Sequence, residues 1–483
     1  MEKNAIKNMS LYAISLFLIK GVSLFTLPLM AHYLSPSQIG QLEFLGITTV
    51  FFSMVVGLAM HENLYRFIGT IECELERRRK ASQLYTVCLL ISSGLALLCL
   101  LIYQLVGYPI EAINDSQLLL MTVVLCYEAP LAIGLAWLRL HNQASLFFKV
   151  SVSTVAVQLA LLMAALIYRP DVTVIFAINV LCTLGQFIFL HFYIGFDFRL
   201  PAKEKIYTYL SYSTPLMLSA MVAFALSGAE RWIIVAYTDL DTLGIYAIAA
   251  KFALGVGILI QPFHMWWMPK RFQVQQSKGE QVVARTTEQG ILLLIVIAVG
   301  LTWASQLFIT YTLPSAYHAA SQMVSMTILI MLFKELTEMV NIGILYAKQT
   351  TKLLFINLIS IAIAASIGLS IIEHGIAAIL VALLAGQISR FILALGLSQR
   401  LLPLPYRLAQ TLCLISLSSL MIFSSSLAYS SDISAVMMVL QPLLIVGVAH
   451  RVGLIDIVRI KNQAKTAKSY LDSLSSQYKA KGN

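Results

Sequence analysis

Five cations lie inside stretches of sequence that are otherwise apolar: Lys20, Arg231, Lys251, Lys334 and Arg390. A charged side chain at the centre of a membrane-spanning helix costs at least roughly 2.5–3.5 kcal/mol even on the lenient insertion scale, so each needs a counter-charge, a route to the interface or a ligand. Cations held in this way are suited to capturing an anion without covalent chemistry. Lys20 is mid-stretch with no acid in its own helix, and Lys251 is a third of the way into its stretch; these two are hardest to assign to structure alone. Arg390 is close enough to one end to snorkel, and Arg231, beside Trp232, can do likewise. Lys334 and Glu338 stand i, i+4 on one helix and read as a mutually neutralising structural pair. Arg66, at the end of its stretch, either meets an anionic substrate or only fixes topology.

The acids Glu43, Glu62, Glu128, Glu230, Glu335 and Glu338 are also embedded in apolar sequence. Glu128 sits mid-stretch in Cys126-Tyr-Glu-Ala-Pro130, where a carboxylate must pair, take up a proton or face water. Glu128 and Glu43 are therefore the candidates for carrying a coupling proton or Na⁺; the competing reading makes them counter-charges for the cations. No signature of catalysis accompanies these groups. The chain lacks GxSxG, Walker A, HExxH and clustered DxD motifs, its eight histidines are isolated, and its six cysteines show no CxxC spacing. The expectation is a non-enzyme with no metal and no organic cofactor.

The elements that hold these residues follow from composition. Of 483 residues, 59% are apolar and only 12% charged, which excludes an ordinary soluble domain and equally excludes disorder. At about 20 residues per crossing, the sequence resolves into spans near 10–32, 41–65, 82–107, 117–138, 146–168, 172–195, 208–236, 242–268, 287–312, 319–346, 353–372, 376–398, 407–428 and 433–450. The 319–346 span is the weakest, because Lys334, Glu335 and Glu338 interrupt it. Basic residues test this count independently. One alternating set of connecting segments holds nearly all the lysines and arginines outside the spans, including Arg77, Arg78, Arg79, Lys80, Lys203, Lys270 and Arg451, whereas the opposite set holds Arg169 alone. By the positive-inside rule both termini are cytoplasmic. The net charge of +10 is thus a topology signal, and nucleic-acid binding loses its support. Every connection is too short to hold a soluble catalytic domain.

Two echoes suggest a duplication. Tyr33-Leu-Ser-Pro-Ser-Gln-Ile-Gly40 resembles Tyr237-Thr-Asp-Leu-Asp-Thr-Leu-Gly244, and Leu140-His-Asn-Gln143 resembles Ala347-Lys-Gln349, at nearly equal offsets. The organisation expected is an N-terminal six-helix lobe (1–196), a C-terminal six-helix lobe (208–399), an added pair of transmembrane helices (407–450) and a cytoplasmic tail (453–483). Prolines Pro28, Pro130, Pro215 and Pro262 fall inside helices, as static kinks or as hinges. In the tail, Ile457, Ile460, Ala464, Ala467, Leu471, Leu474 and Tyr478 mark one helix face opposite Arg459, Lys461, Lys465 and Lys468. That is the pattern of a basic amphipathic helix on the inner leaflet, or of a partner-binding coiled coil.

Asn8, Leu27-Pro-Leu-Met-Ala-His-Tyr-Leu-Ser-Pro-Ser-Gln-Ile-Gly40, Gln261-Pro-Phe-His264 and Leu345-Tyr-Ala-Lys-Gln349 carry a further signal. With this architecture the chain resembles the Wzx-type polysaccharide transporters of the multidrug/oligosaccharidyl-lipid/polysaccharide (MOP) exporter superfamily, over about residues 1–450. His32 departs from the arginine many relatives carry. The resemblance implies an all-α, V-shaped, two-lobed flippase in the bacterial cytoplasmic (inner) membrane. Its cargo would be undecaprenyl-diphosphate-linked oligosaccharide for O-antigen of lipopolysaccharide, capsule or exopolysaccharide, moved to the periplasmic leaflet by alternating access. An H⁺ or Na⁺ gradient or the membrane potential would drive it, and a polysaccharide polymerase and a chain-length regulator would be its partners. Lys20 and Lys251 would meet the diphosphate, with Arg231 secondary, and Glu128 or Glu43 would couple. The alternatives are a drug/cation antiporter of the same superfamily, which would want an acidic cavity, a lipid II flippase, and a membrane polymerase or ligase, which would want a large outer loop.

Overall fold

The computed structural model describes residues 2–106, 112–427 and 431–454, with side chains from Ile14 onward except those of Leu16, Lys20, Phe25 and Ser431. The amphipathic tail expected over 453–483 lies almost entirely outside the described residues. The described chain is helical throughout: α1 (Glu2–Tyr33), α2 (Pro36–Gly57), α3 (Glu74–Val106), α4 (Asp115–Leu140), α5 (Ala144–Tyr168), α6 (Val172–Ile194), α7a (Lys203–Ala225), α7b (Glu230–Tyr237), α8 (Leu240–Trp267), α9 (Glu280–Thr312), α10 (Ala320–Val340), α11 (Thr350–Ser370), α12 (Ile376–Leu401), α13 (Leu408–Ser424) and α14 (Ser431–Arg451). Ten of these are long and apolar enough to cross a membrane, and α7a with α7b makes an eleventh if the bent pair is one span. The remaining sequence spans coincide with α1, whose apolar part is Phe17–Tyr33, with the charged α10, and with the short α13.

Local chemistry explains where the helices begin. At α2, Ser35 and Gln38 form a reciprocal capping box, and Pro36 takes the first helical position, where its missing N–H costs nothing. At α8, Asp239 accepts from the Thr242 N–H at 2.7 Å. Ser35 and Asp239 occupy matching places in the first echo, so both repeats cap the same helix start.

The glycines of that echo show what the repeat is for. A Cβ built on Gly40 would collide with the Leu240 carbonyl, and one on Gly244 would collide with the Pro36 carbonyl. The contact is reciprocal: each helix start lays its glycine against the carbonyl one turn before the other's glycine. The starts of α2 and α8 thus cross backbone to backbone, the close approach that small residues permit between membrane helices.

The second echo is equally structural. Asn142 and Lys348 both adopt left-handed backbone, at φ 54° and 58°. Behind them the Gln143 N–H donates to Leu138 O at 2.9 Å, and the Gln349 N–H donates to Ile344 O at 3.0 Å. Both turns are the same Schellman helix end. The packing repeats too: α3 on α4, α4 on α6 and α5 on α6 correspond to α9 on α10, α10 on α12 and α11 on α12.

The halves differ at the seventh span. It bends by 46° between α7a and α7b, at Leu226–Ala229 and not at Pro215, one of the hinges the sequence offers. The carbonyl freed at Leu226 accepts from Gln387 Nε2 of α12 at 3.2 Å, which satisfies a backbone group that lipid could not.

Candidate functional site

Three adjoining cavities share Glu43 of α2 in their walls: one of about 320 Å³ bordered by both halves, one of about 340 Å³ bordered by the N-terminal half and Lys251, and one of about 350 Å³ bordered by N-terminal residues. The break in the seventh span delivers the start of α7b to this point. Arg231 there donates through Nε to Glu43 at 2.6 Å and through Nη1 to Glu230. Tyr246 of α8 donates its hydroxyl to the same Glu230 oxygen at 3.1 Å, and its ring lies under the Arg231 guanidinium. Trp232 adds a second tie across the halves, its indole N–H reaching Thr48 of α2 at 3.0 Å. Arg231 therefore turns inward and does not snorkel.

On the C-terminal side, one cavity is bordered by Arg231, Lys251 and Lys334 together with Glu43 and Glu230. Among the described residues, three cations face two carboxylates, a formal excess of positive charge in a low-dielectric setting. Among the described residues, neither Lys251 nor Lys334 forms an ion pair. The i, i+4 pairing expected of Lys334 and Glu338 does not occur. Glu338 instead meets Arg390 at 3.0 Å and Asn341 at 3.0 Å, while Arg390 also reaches Asn357 at 2.8 Å. A guanidinium from the neighbouring helix outcompetes the lysine one turn away because its planar fork can serve both acceptors at once. Lys334 is thereby left for the chamber.

On the N-terminal side the lining changes character. The second cavity is bordered by Glu43, Tyr127, Glu128, Asn179 and Thr183, with no cation among the described residues that line it. Ser53 hydrogen-bonds the Glu128 carboxyl group, yet its Oε2 is buried without a partner. The remaining cavity joins the two sides, since Lys251, Gln158 and Asn179 all border it.

Other sequence-derived candidates fall elsewhere. Arg66 is exposed on a π-helical turn, Leu64–Ile68, and borders none of the three cavities. The Lys20 side chain lies outside the described residues. His32 is exposed and bonds the Pro28 carbonyl of its own helix at 2.7 Å. Sequence reasoning passes over Gln158 and Asn179, although a signal is present: they are amides inside otherwise apolar helices, which tend to bond across helices or face a cavity.

An all-helical, multi-pass membrane protein with a charged chamber between two helical halves is the class this architecture defines, and its fold is shared with solved membrane transporters. The chain is similar to the lipid II flippase MurJ in its inward closed conformation, at a TM-score of 0.66 and 14% identity, over 91% of this chain and 99% of that one. It is also similar to MATE in complex with MaD3S, at a TM-score of 0.50 and 14% identity, and to MATE in the straight conformation, at 0.50 and 12%, each over 81% of this chain and 95% of that one. At such identities the likeness is one of fold. No curated protein matches the sequence. The family model described as "Polysaccharide biosynthesis protein" matches residues 5–275, more than half the chain, and the protein belongs to that family. The resemblance carried by the short motifs of α1, α8 and the α10–α11 turn points the same way.

Proposed function

We propose that the protein is a flippase, not an enzyme, which carries undecaprenyl-diphosphate-linked oligosaccharide from the cytoplasmic to the periplasmic leaflet of a bacterial inner membrane. The observation that carries this reading is the convergence of Arg231, Lys251 and Lys334 on one chamber bordered by both halves. A diphosphate is the anion such a chamber suits, because charge-assisted hydrogen bonds from fixed cations are strong in a dry site. Glu43 holds the place of the phosphate in the empty carrier. Cargo binding competes with it for Arg231 and so loosens a tie between the halves, which gives alternating access a trigger. The two six-helix lobes, 1–196 and 208–399, are the bodies that move; 407–450 adds a peripheral pair. Glu128, with its orphaned oxygen, is the carboxylate for coupling to H⁺ or Na⁺. A polymerase and a chain-length regulator would act on the delivered cargo.

A drug/cation antiporter is the second reading, favoured by one observation: the cavity bordered by Glu43 and Glu128 has no cation among the described residues of its lining. Deleting the gene in its host separates the two. Lipid-linked repeat units accumulating inside with loss of surface polymer support the flippase. Complementation by a Lys251→Ala, Lys334→Ala double variant should then restore at most a few per cent of export, the effect of removing about two charge-assisted hydrogen bonds to the cargo. Normal surface glycan with altered sensitivity to cationic drugs would sink the flippase reading.

A further inference from the structure

The two sides of the cavity differ in chemistry, and that difference assigns an orientation to the cargo. This step rests on the proposed function and asks where in the chamber each part of a glycolipid sits. Among the described residues, cations border only the C-terminal side and the junction, whereas amides, hydroxyls and rings border the N-terminal side.

Gln158 of α5 and Asn179 of α6 are joined by one hydrogen bond, Gln158 Nε2 to Asn179 Oδ1, at 3.1 Å. An amide pair bonded once still has an acceptor on one member and donors on the other. Both border the junction cavity together with Lys251, and Asn179 also borders the second cavity. On that side, Thr183 bonds the Tyr127 hydroxyl at 2.6 Å, Phe176 borders the cavity, and Glu128 Oε2 is buried without a partner. Mixed amide donors and acceptors, an aromatic wall and an unsatisfied carboxylate oxygen are what a hydroxyl-rich ring needs. The cavities, at about 340 and 350 Å³, fall within the usual range for small-ligand sites.

We infer that Gln158 and Asn179 are a glycan subsite that reads the sugar next to the diphosphate, a neutral pyranose bearing hydroxyl and amide groups, while Arg231, Lys251 and Lys334 hold the phosphates. The lipid-phosphate side is then indifferent to the glycan, and selectivity among glycans resides in α5 and α6. This division predicts opposite behaviour for variants on the two sides.

The test measures binding to the purified full chain in lipid nanodiscs with two probes, bare undecaprenyl diphosphate and undecaprenyl-diphospho-N-acetylglucosamine. Wild type should bind the sugar-bearing probe about tenfold more tightly, as one or two hydrogen bonds to the sugar would give. Asn179→Ala and Gln158→Ala should each shrink that preference several-fold and leave bare-lipid affinity unchanged, whereas Lys251→Ala should weaken both probes alike. Either amide variant suffices if the other does not fold. Binding of both probes by wild type without preference, or amide variants that weaken the bare lipid equally, overturns the subsite alone. Binding of neither probe by wild type overturns the flippase reading with it.

Discussion

The two halves of this protein share backbone and differ in charge. Gly40 and Gly244 make the same close crossing, Ser35 and Asp239 cap the same helix start, and Asn142 and Lys348 close the same left-handed turn. The second echo, however, sets Glu128 of α4 against Lys334 of α10 at corresponding places, so the same helix position offers a carboxylate to the cavity in one half and an ammonium in the other. The repeated features are those where only a few residue types satisfy the backbone, at a glycine contact, a helix cap and a Schellman end. The divergent features are side chains on cavity walls, where the backbone constrains nothing. A repeated scaffold thus carries opposed wall chemistry, a carboxylate on one side and ammonium groups on the other.

The strongest test of that contrast is the tie across it. In Arg231→Ala, Glu43 and Glu230 would lose their shared cation; their side chains are 25% and 5% exposed, and removing one member of such a buried network typically costs about 3–5 kcal/mol. Thermal unfolding in detergent should show a large fall for Arg231→Ala. The fall should be much smaller for Arg231→Met combined with Glu43→Gln, which keeps the volume and removes one of the two stranded carboxylates. Equal falls would mean that the guanidinium contributes by packing and not by charge.

Hydropathy makes the helices legible because it records the bilayer directly, as the length of an apolar crossing. The glycine and turn echoes are legible because backbone constraints leave a residue signature. The partners of the buried charges are not. Lys334 and Glu338 satisfy the i, i+4 rule, yet Arg390, 52 residues beyond Glu338, takes the carboxylate; spacing along one helix says nothing about a competitor on the next. A continuous seventh span would let Arg231 reach the interface, but the break at Leu226–Ala229 carries no proline, and a bend stabilised by Gln387 from α12 cannot be read from that span alone. Gln158 and Asn179 give a weak signal because uncharged amides cost far less than ions in an apolar helix.

The shared crossing gives the next test. Gly40→Ala and Gly244→Ala each place a methyl group inside a carbonyl of the other half, so the helices must separate. Overpacking of this kind costs roughly 1–3 kcal/mol, and the two variants should lose similar stability because their contacts are reciprocal. Gly185→Ala in α6, where nothing lies within 4 Å, should instead gain about 0.5–1 kcal/mol from reduced backbone freedom. Unequal losses at Gly40 and Gly244 would show that the crossing is less symmetric in solution than its geometry implies.

The smallest effect separates the repeats at their most similar point. Asn142 and Lys348 hold the same left-handed conformation, but asparagine tolerates that region through local hydrogen bonding and lysine does not. Glycine meets no steric penalty there. Lys348→Gly should therefore raise stability by up to about 1 kcal/mol, while Asn142→Gly should change it by about a few tenths at most, both read as shifts in the unfolding midpoint. Lys348 stands in one of the segments that collect basic residues, so its charge is the property to separate from the strain. Lys348→Asn would keep the turn and remove the charge. If its stability matches that of Lys348→Gly while insertion and yield in the membrane fall, the cation at this turn serves topology, and the two ends of the same Schellman motif have been tuned by different pressures: one by backbone strain, the other by the side of the membrane on which it must remain.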